Sequence, residues 1–163
     1  MSKQIHGRKE KASDTYLTPP ALVKALGPFD LDPCCPPNMP WKTAKRMISL
    51  PEDGLTAQWK GRVWLNPPYS DVRPWVDKFV AHGSGIALVS AKSTDARWGQ
   101  ALLNGCHSAY WLAGRLLFHK ADGSETFGKF LSNMLVAVSE TDANILEMLE
   151  QRGYDGVLFR RVV

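Results

Sequence analysis

At 163 residues, with the apolar and charged content of an ordinary globular protein, the chain is long enough for one domain with a substantial core and no disulfide staples. Lys and Arg outnumber Asp and Glu by 20 to 16, and the net charge of +4 permits a polyanionic partner without demanding one. No apolar stretch approaches membrane-spanning length, the N-terminus lacks a signal peptide's apolar core, and Cys34, Cys35 and Cys106 have no metal-ligand spacing, so they read as reduced thiols in a cytosolic compartment.

Residues 1–14, "MSKQIHGRKEKASD", form a polar, basic tail expected to be flexible, and one domain is expected over 15–163. "TPPALVKALG" predicts a helix with Thr18 as N-cap, Pro19 at the first helical position and Gly27 closing it. "FDLD" (29–32) reads as a short strand ending in a carboxylate. From 33 to 61 the prolines exclude long regular elements. "VWL" (63–65) is an apolar run of β-formers that meets Asn66, Pro67, Pro68 and Tyr69, where two consecutive prolines force the chain out of the sheet. An amphipathic helix over 71–82 stops at Gly83, and "GIALVSA" (85–91) completes a strand–helix–strand unit, which predicts parallel pairing. "HGSGIAL" follows a helix and precedes a strand, the reverse of a dinucleotide-binding loop, and reads as a turn. A helix over 95–104, strands at "SAYWLA" (108–113), "RLLFH" (115–119) and "SNMLVAVS" (132–139), a helix over 141–152 and a final strand "GVLFRRVV" follow. The expected fold is a single α/β domain with a mostly parallel sheet and antiparallel strands towards the C-terminus.

Asn-Pro-Pro-Tyr at the carboxyl end of a buried strand sits where open α/β sheets bind ligands, although a Pro-Pro loop that only ends a strand has the same sequence. Its residue types suit methyl transfer to an exocyclic aromatic amine. Such an amine is a poor nucleophile because its lone pair is delocalised into the ring. Two rigid acceptors, one for each N–H, favour a pyramidal nitrogen with a localised lone pair. The Asn66 side-chain oxygen and the Pro67 carbonyl can be those acceptors, Pro67 and Pro68 stiffen their placement, and Tyr69 offers a flat face for an extruded base.

"NPPY" resembles motif IV of amino-methyltransferases that use S-adenosylmethionine. With "YLTPPALVKAL", "FDLDPCC", "EDGL", "NPPYSDVRPWV", "STDARW" and "GRLLF", residues 16–138 resemble the phage-type DNA N6-adenine methyltransferase family. That resemblance implies a Rossmann-like class I methyltransferase domain, S-adenosylmethionine as cofactor, and double-stranded DNA as partner in the cytoplasm of a bacterial host. It implies that Thr18 and Pro19 touch the methionine end of the cofactor at a helix N-terminus, though Thr18 could equally be only a cap. Asp32 and Pro33 of "DLDP" would contact the cofactor, and Asp53 of "EDGL" could accept from its adenine amine; a strand-ending turn and an Asp-Gly turn are the alternatives. The wider superfamily follows its first strand with a Gly-x-Gly loop. "DPCCPPN" has no glycine, so the contacts made by 33–38 stay open.

Basic residues suggest where DNA would lie: Lys42, Lys45 and Arg46 beside Trp41, Lys92 and Arg97 after the 85–91 strand, and Arg115 in the loop-rich 114–129 segment. Each cluster is equally what a solvated face looks like. Other readings are methylation of cytosine N4, RNA adenine or a protein glutamine, and a non-catalytic DNA-binding relative. Glutamine methyltransferases usually show a Gly-rich cofactor loop and a preceding helical domain, which this sequence lacks.

Overall fold

The computed structural model describes residues 16–120, 122–125 and 132–162, and the basic tail over 1–14 lies outside them. In chain order the elements are α1 (Pro20–Leu26), β1 (Leu31–Asp32), β2 (Arg46–Met47), β3 (Val63–Leu65), α2 (Arg73–His82), β4 (Gly85–Ser90), α3 (Arg97–Gly105), β5 (Ser108–Leu112), β6 (Asn133–Ala137), α4 (Glu140–Glu147) and β7 (Gly156–Arg160). The seven strands form one sheet in the order β2-β1-β3-β4-β6-β5-β7.

The three pairings among β2, β1, β3 and β4 are parallel, and the three among β4, β6, β5 and β7 are antiparallel. The sheet is therefore mixed, which corrects the expectation of a mostly parallel one. β6 supplies the difference: it enters between β4 and β5 and runs against both. The expected strand–helix–strand unit is present as β3–α2–β4, with Val63 opposite Gly85 and Leu65 opposite Ala87.

Side chains alternate across the sheet, as the two-residue period of a strand requires. Val63, Leu65, Ala87, Val89, Met134 and Val136 pack towards Val76 and Phe79 of α2 and Leu102 of α3. Trp64, Ile86, Leu88, Leu135 and Ala137 pack towards Leu22 and Leu26 of α1 and Leu146 of α4. Helices on both faces explain why β3, β4 and β6 are buried along their whole length.

At the amino edge of the sheet, buried Asp142 of α4 ion-pairs with Arg62 and accepts from the Gly85 N–H at 2.7 Å. Gly85 has φ +137°, and a Cβ there would lie 2.1 Å from the Val63 carbonyl oxygen. Only glycine lets β4 begin so close to β3.

Three local expectations change. The first helix starts at Pro20, with Pro19 in the N-cap position at ψ 131° and no side-chain cap bond, so Thr18 is not the cap. A residue before proline is pushed out of the α region, and Pro19 precedes Pro20. "RLLFH" is not a strand; its β-bridges among the described residues are the isolated ones of His119 to Leu17 and Glu125. The helix expected to reach 152 ends at Glu147, and a separate 3-10 turn covers Glu150–Arg152.

Candidate active site

β1 and β3 run parallel, so their last residues leave the sheet at the same edge. Asp32 ends β1 and Asn66 follows Leu65 at the end of β3. A cavity of about 340 Å³ opens there, within the size range of small-molecule sites. Thr18, Asp32, Pro33, Asp53, Asn66, Pro67, Pro68 and Tyr69 all line it. Pro19 is not among the lining residues, and neither are Lys42, Lys45, Arg46, Lys92, Arg97 and Arg115.

Asn66 is held at both ends. Its Nδ2 donates to Thr18 Oγ1 at 3.2 Å and to the Tyr16 carbonyl at 3.4 Å. Its backbone carbonyl accepts from the Cys34 thiol at 3.2 Å. With the amide nitrogen spent on two acceptors, Oδ1 is the end left to receive a donor.

Asp32 is 4 % exposed. Its carboxylate accepts from the Cys34 N–H at 3.2 Å and from the Thr43 hydroxyl. Burial nevertheless dominates and pushes its pKa up to about 6, against the smaller lowering effect of those two bonds. Burial likewise raises the Tyr69 phenol to about 12, and neighbouring Tyr16 adds to it. Tyr69 is half-buried, belongs to neither core cluster, and its Oη is buried without a hydrogen-bond partner among the described residues.

Asp53 opens a turn in which its Oδ1 accepts from the Leu55 N–H at 2.8 Å. The next residue has to be small, because a Cβ on Gly54 would lie 1.8 Å from the Pro33 carbonyl oxygen. Lys78 of α2 then clamps the loop, donating to the carbonyls of Leu55 at 2.6 Å and Ala57 at 2.7 Å and more weakly to Gly54 at 3.3 Å. Trp59 Nε1 donates to the Gly54 carbonyl at 2.7 Å. The Asp53 wall of the cavity is therefore built by close backbone contact and a lysine ammonium that gathers three loop carbonyls.

The helix N-terminus beside Thr18 offers little to an anion. Pro19 and Pro20 have no N–H, and those of Leu22 and Val23 already reach the Pro19 carbonyl, which leaves at most Ala21. Lys42, Lys45, Arg46, Lys92, Arg97 and Arg115 are all exposed, and Lys45 pairs with Asp30 and Arg46 with Glu52. Lys92 and Arg97 follow β4 at the same sheet edge as Asn66.

Sequence reasoning missed Thr43, Cys34, Tyr16 and Lys78. Trp75 of α2 also lines the cavity, at 9 % exposure.

The fold and the site together define an α/β protein with a ligand cavity at the carboxyl edge of its sheet and an asparagine amide presented to it. Residues 6–152 match the DNA N-6-adenine-methyltransferase (Dam) family, and the chain belongs to that family. No curated protein and no solved structure matches it.

Proposed function

We propose that the protein transfers a methyl group from S-adenosylmethionine to the N6 amine of an adenine extruded from double-stranded DNA. The observation that carries this reading is the Asn66 amide at the cavity wall, whose Nδ2 is taken up by Thr18 and Tyr16 so that Oδ1 is left to receive a donor. An amine presents two donors, and an acceptor aimed at them localises the lone pair that must attack. Pro67 supplies the second acceptor through its carbonyl, and Tyr69 stacks on the base. The proton leaves after transfer, so no general base of matched pKa is required.

The cavity also fits the cofactor's charge. Asp32, Glu52 and Asp53 line it, with no Lys, Arg or His among the lining residues, although the chain as a whole is net positive. An acidic lining in a basic protein suits a cation. When bound, S-adenosylmethionine supplies a methyl group on a cationic sulfonium. Asp32, Pro33 and Asp53 form its side of the cavity in this reading, with Pro19 beside it. Lys42, Lys45, Arg46, Lys92, Arg97 and Arg115 are the cations assigned to DNA phosphates. Residues 16–138 resemble phage-type enzymes, which supports a phage or prophage origin and work in a bacterial cytoplasm. No described helix is long and apolar enough to cross a membrane.

Tritiated-methyl transfer tests the proposal, with unmethylated duplex DNA, RNA and protein as acceptors and digestion of the labelled product. Label in N6-methyladenine from DNA is the expected result. Label confined to cytosine N4, RNA or a protein glutamine, or no transfer at all, would overturn it.

A further inference from the structure

We propose that Thr18 is a positioning residue for Asn66, holding the amide in the orientation that turns its oxygen to the substrate amine, and not a contact for the cofactor. The inference rests on the role given to Asn66 above. The two ends of an asparagine amide are alike in shape and opposite in hydrogen bonding. Flipped by half a turn, Asn66 would point donors at an amine that itself donates, and the localising contact would become repulsive. The choice must therefore be made by whatever faces the other end.

Two groups face it. The Tyr16 carbonyl can only accept, so the nitrogen belongs on that side, but at 3.4 Å this bond is the weaker one. The Thr18 hydroxyl is the closer acceptor at 3.2 Å, on a side chain only 2 % exposed. Thr18 has no capping duty to compete with this bond, because Pro19 occupies the N-cap position. The segment that carries both acceptors is itself tied down: Leu17 exchanges two backbone hydrogen bonds with His119, each 2.9 Å. The Cys34 thiol fixes the other side of Asn66 through its carbonyl. The Tyr16 carbonyl, which can only accept, selects the nitrogen for that side, and the closer Thr18 hydroxyl holds it there, which leaves Oδ1 on the other side.

The test compares Thr18→Val, which keeps the shape and loses the acceptor, with Thr18→Ser, which keeps the acceptor. Three measurements are made on the full chain: turnover on DNA at saturating cofactor, cofactor affinity by calorimetry without DNA, and the Asn66 side-chain NH2 resonances by NMR. Thr18→Val should lower kcat on the order of tenfold or more with cofactor affinity within about twofold, and should shift the NH2 resonances and speed their exchange. Thr18→Ser should restore all three. A Thr18→Val protein that binds cofactor tenfold more weakly but turns over normally would overturn the proposal and make Thr18 a cofactor contact. Unchanged Asn66 NH2 resonances in folded Thr18→Val would overturn it too. That NMR arm needs no activity, so an inert wild type would defeat the proposed reaction while this arm still decides the role of Thr18. Thermal melts of both variants show that each readout comes from folded protein.

Discussion

A carboxyl group held out of water at the end of β1 sets the pH behaviour of the site. Asp32 has a folded-state pKa raised by burial from 3.8 to about 6. Between those values the folded chain binds the proton that the unfolded chain has lost. Its contribution to stability is thus fully present below about pH 4 and is lost as pH rises through about 6. Asp32→Asn removes that penalty and keeps an acceptor for the Cys34 N–H. The variant should be more stable than wild type at pH 7.5, by at most roughly 3 kcal/mol, with the gap closing towards pH 4. It should also bind S-adenosylmethionine more weakly, since the cation loses its buried counter-charge. Thermal melts across this pH range check the first point and calorimetry the second; a variant less stable than wild type at pH 7.5 would contradict the burial argument. At Tyr69 the ring and the hydroxyl have separate fates. Tyr69→Phe should keep most activity, whereas Tyr69→Ala should lose roughly 1–3 kcal/mol of base stacking. A mismatch at the target adenine should partly rescue Tyr69→Ala, because a mispaired base costs less to extrude. Loss of stability without mismatch rescue would instead mean that the ring serves packing. Asp32 and Asn66 were legible in the sequence because each ends a short apolar run. Thr43 and Cys34 were not, because their partners lie across loops with no periodicity to read.

Loops, more than strands, decide the shape of the cavity. The 53–57 loop reaches the Pro33 carbonyl only because residue 54 lacks a Cβ, and Lys78 holds its carbonyls from α2. Lys78→Met keeps most of the stem and removes the donors. It should cost on the order of 2 kcal/mol in stability and weaken cofactor binding, while turnover at saturating cofactor changes little. Melts and calorimetry check this, and unchanged affinity in Lys78→Met would mean that the loop's position does not matter to the ligand. The β3–α2–β4 unit was legible because two apolar runs flank an amphipathic helix that ends at Gly83. β2 was not: it is two residues long, and its extended form comes from pairing with β1, not from its own composition. "RLLFH" shows the converse, a short apolar run with one β-former, Phe118, to which the fold offers only the isolated bridges at His119. The direction of β6 is likewise a property of the whole sheet. Nothing in its own residues says that it enters between β4 and β5.

On the scale of the molecule, Asp32, Glu52 and Asp53 line the cavity of a chain whose net charge is +4, a combination that suits a cationic ligand within and a polyanionic partner. If Lys42, Lys45 and Arg46 meet phosphates, DNA affinity should fall steeply with salt. Replacing all three should flatten the slope by about one unit for each phosphate that is no longer neutralised. Lys45 and Arg46 already hold Asp30 and Glu52, but exposed ion pairs are weak and exchange readily for phosphate. An unchanged slope in the triple variant would shift the DNA track to Lys92, Arg97 and the Arg115 loop. The most direct measurement of the central claim is the effect of Asn66→Ala on turnover and on cofactor binding, side by side. The amide oxygen is needed only as the amine attacks, so kcat should fall by about a hundredfold or more with cofactor affinity nearly unchanged. A folded Asn66→Ala protein that retains more than about a tenth of wild-type turnover would contradict the account.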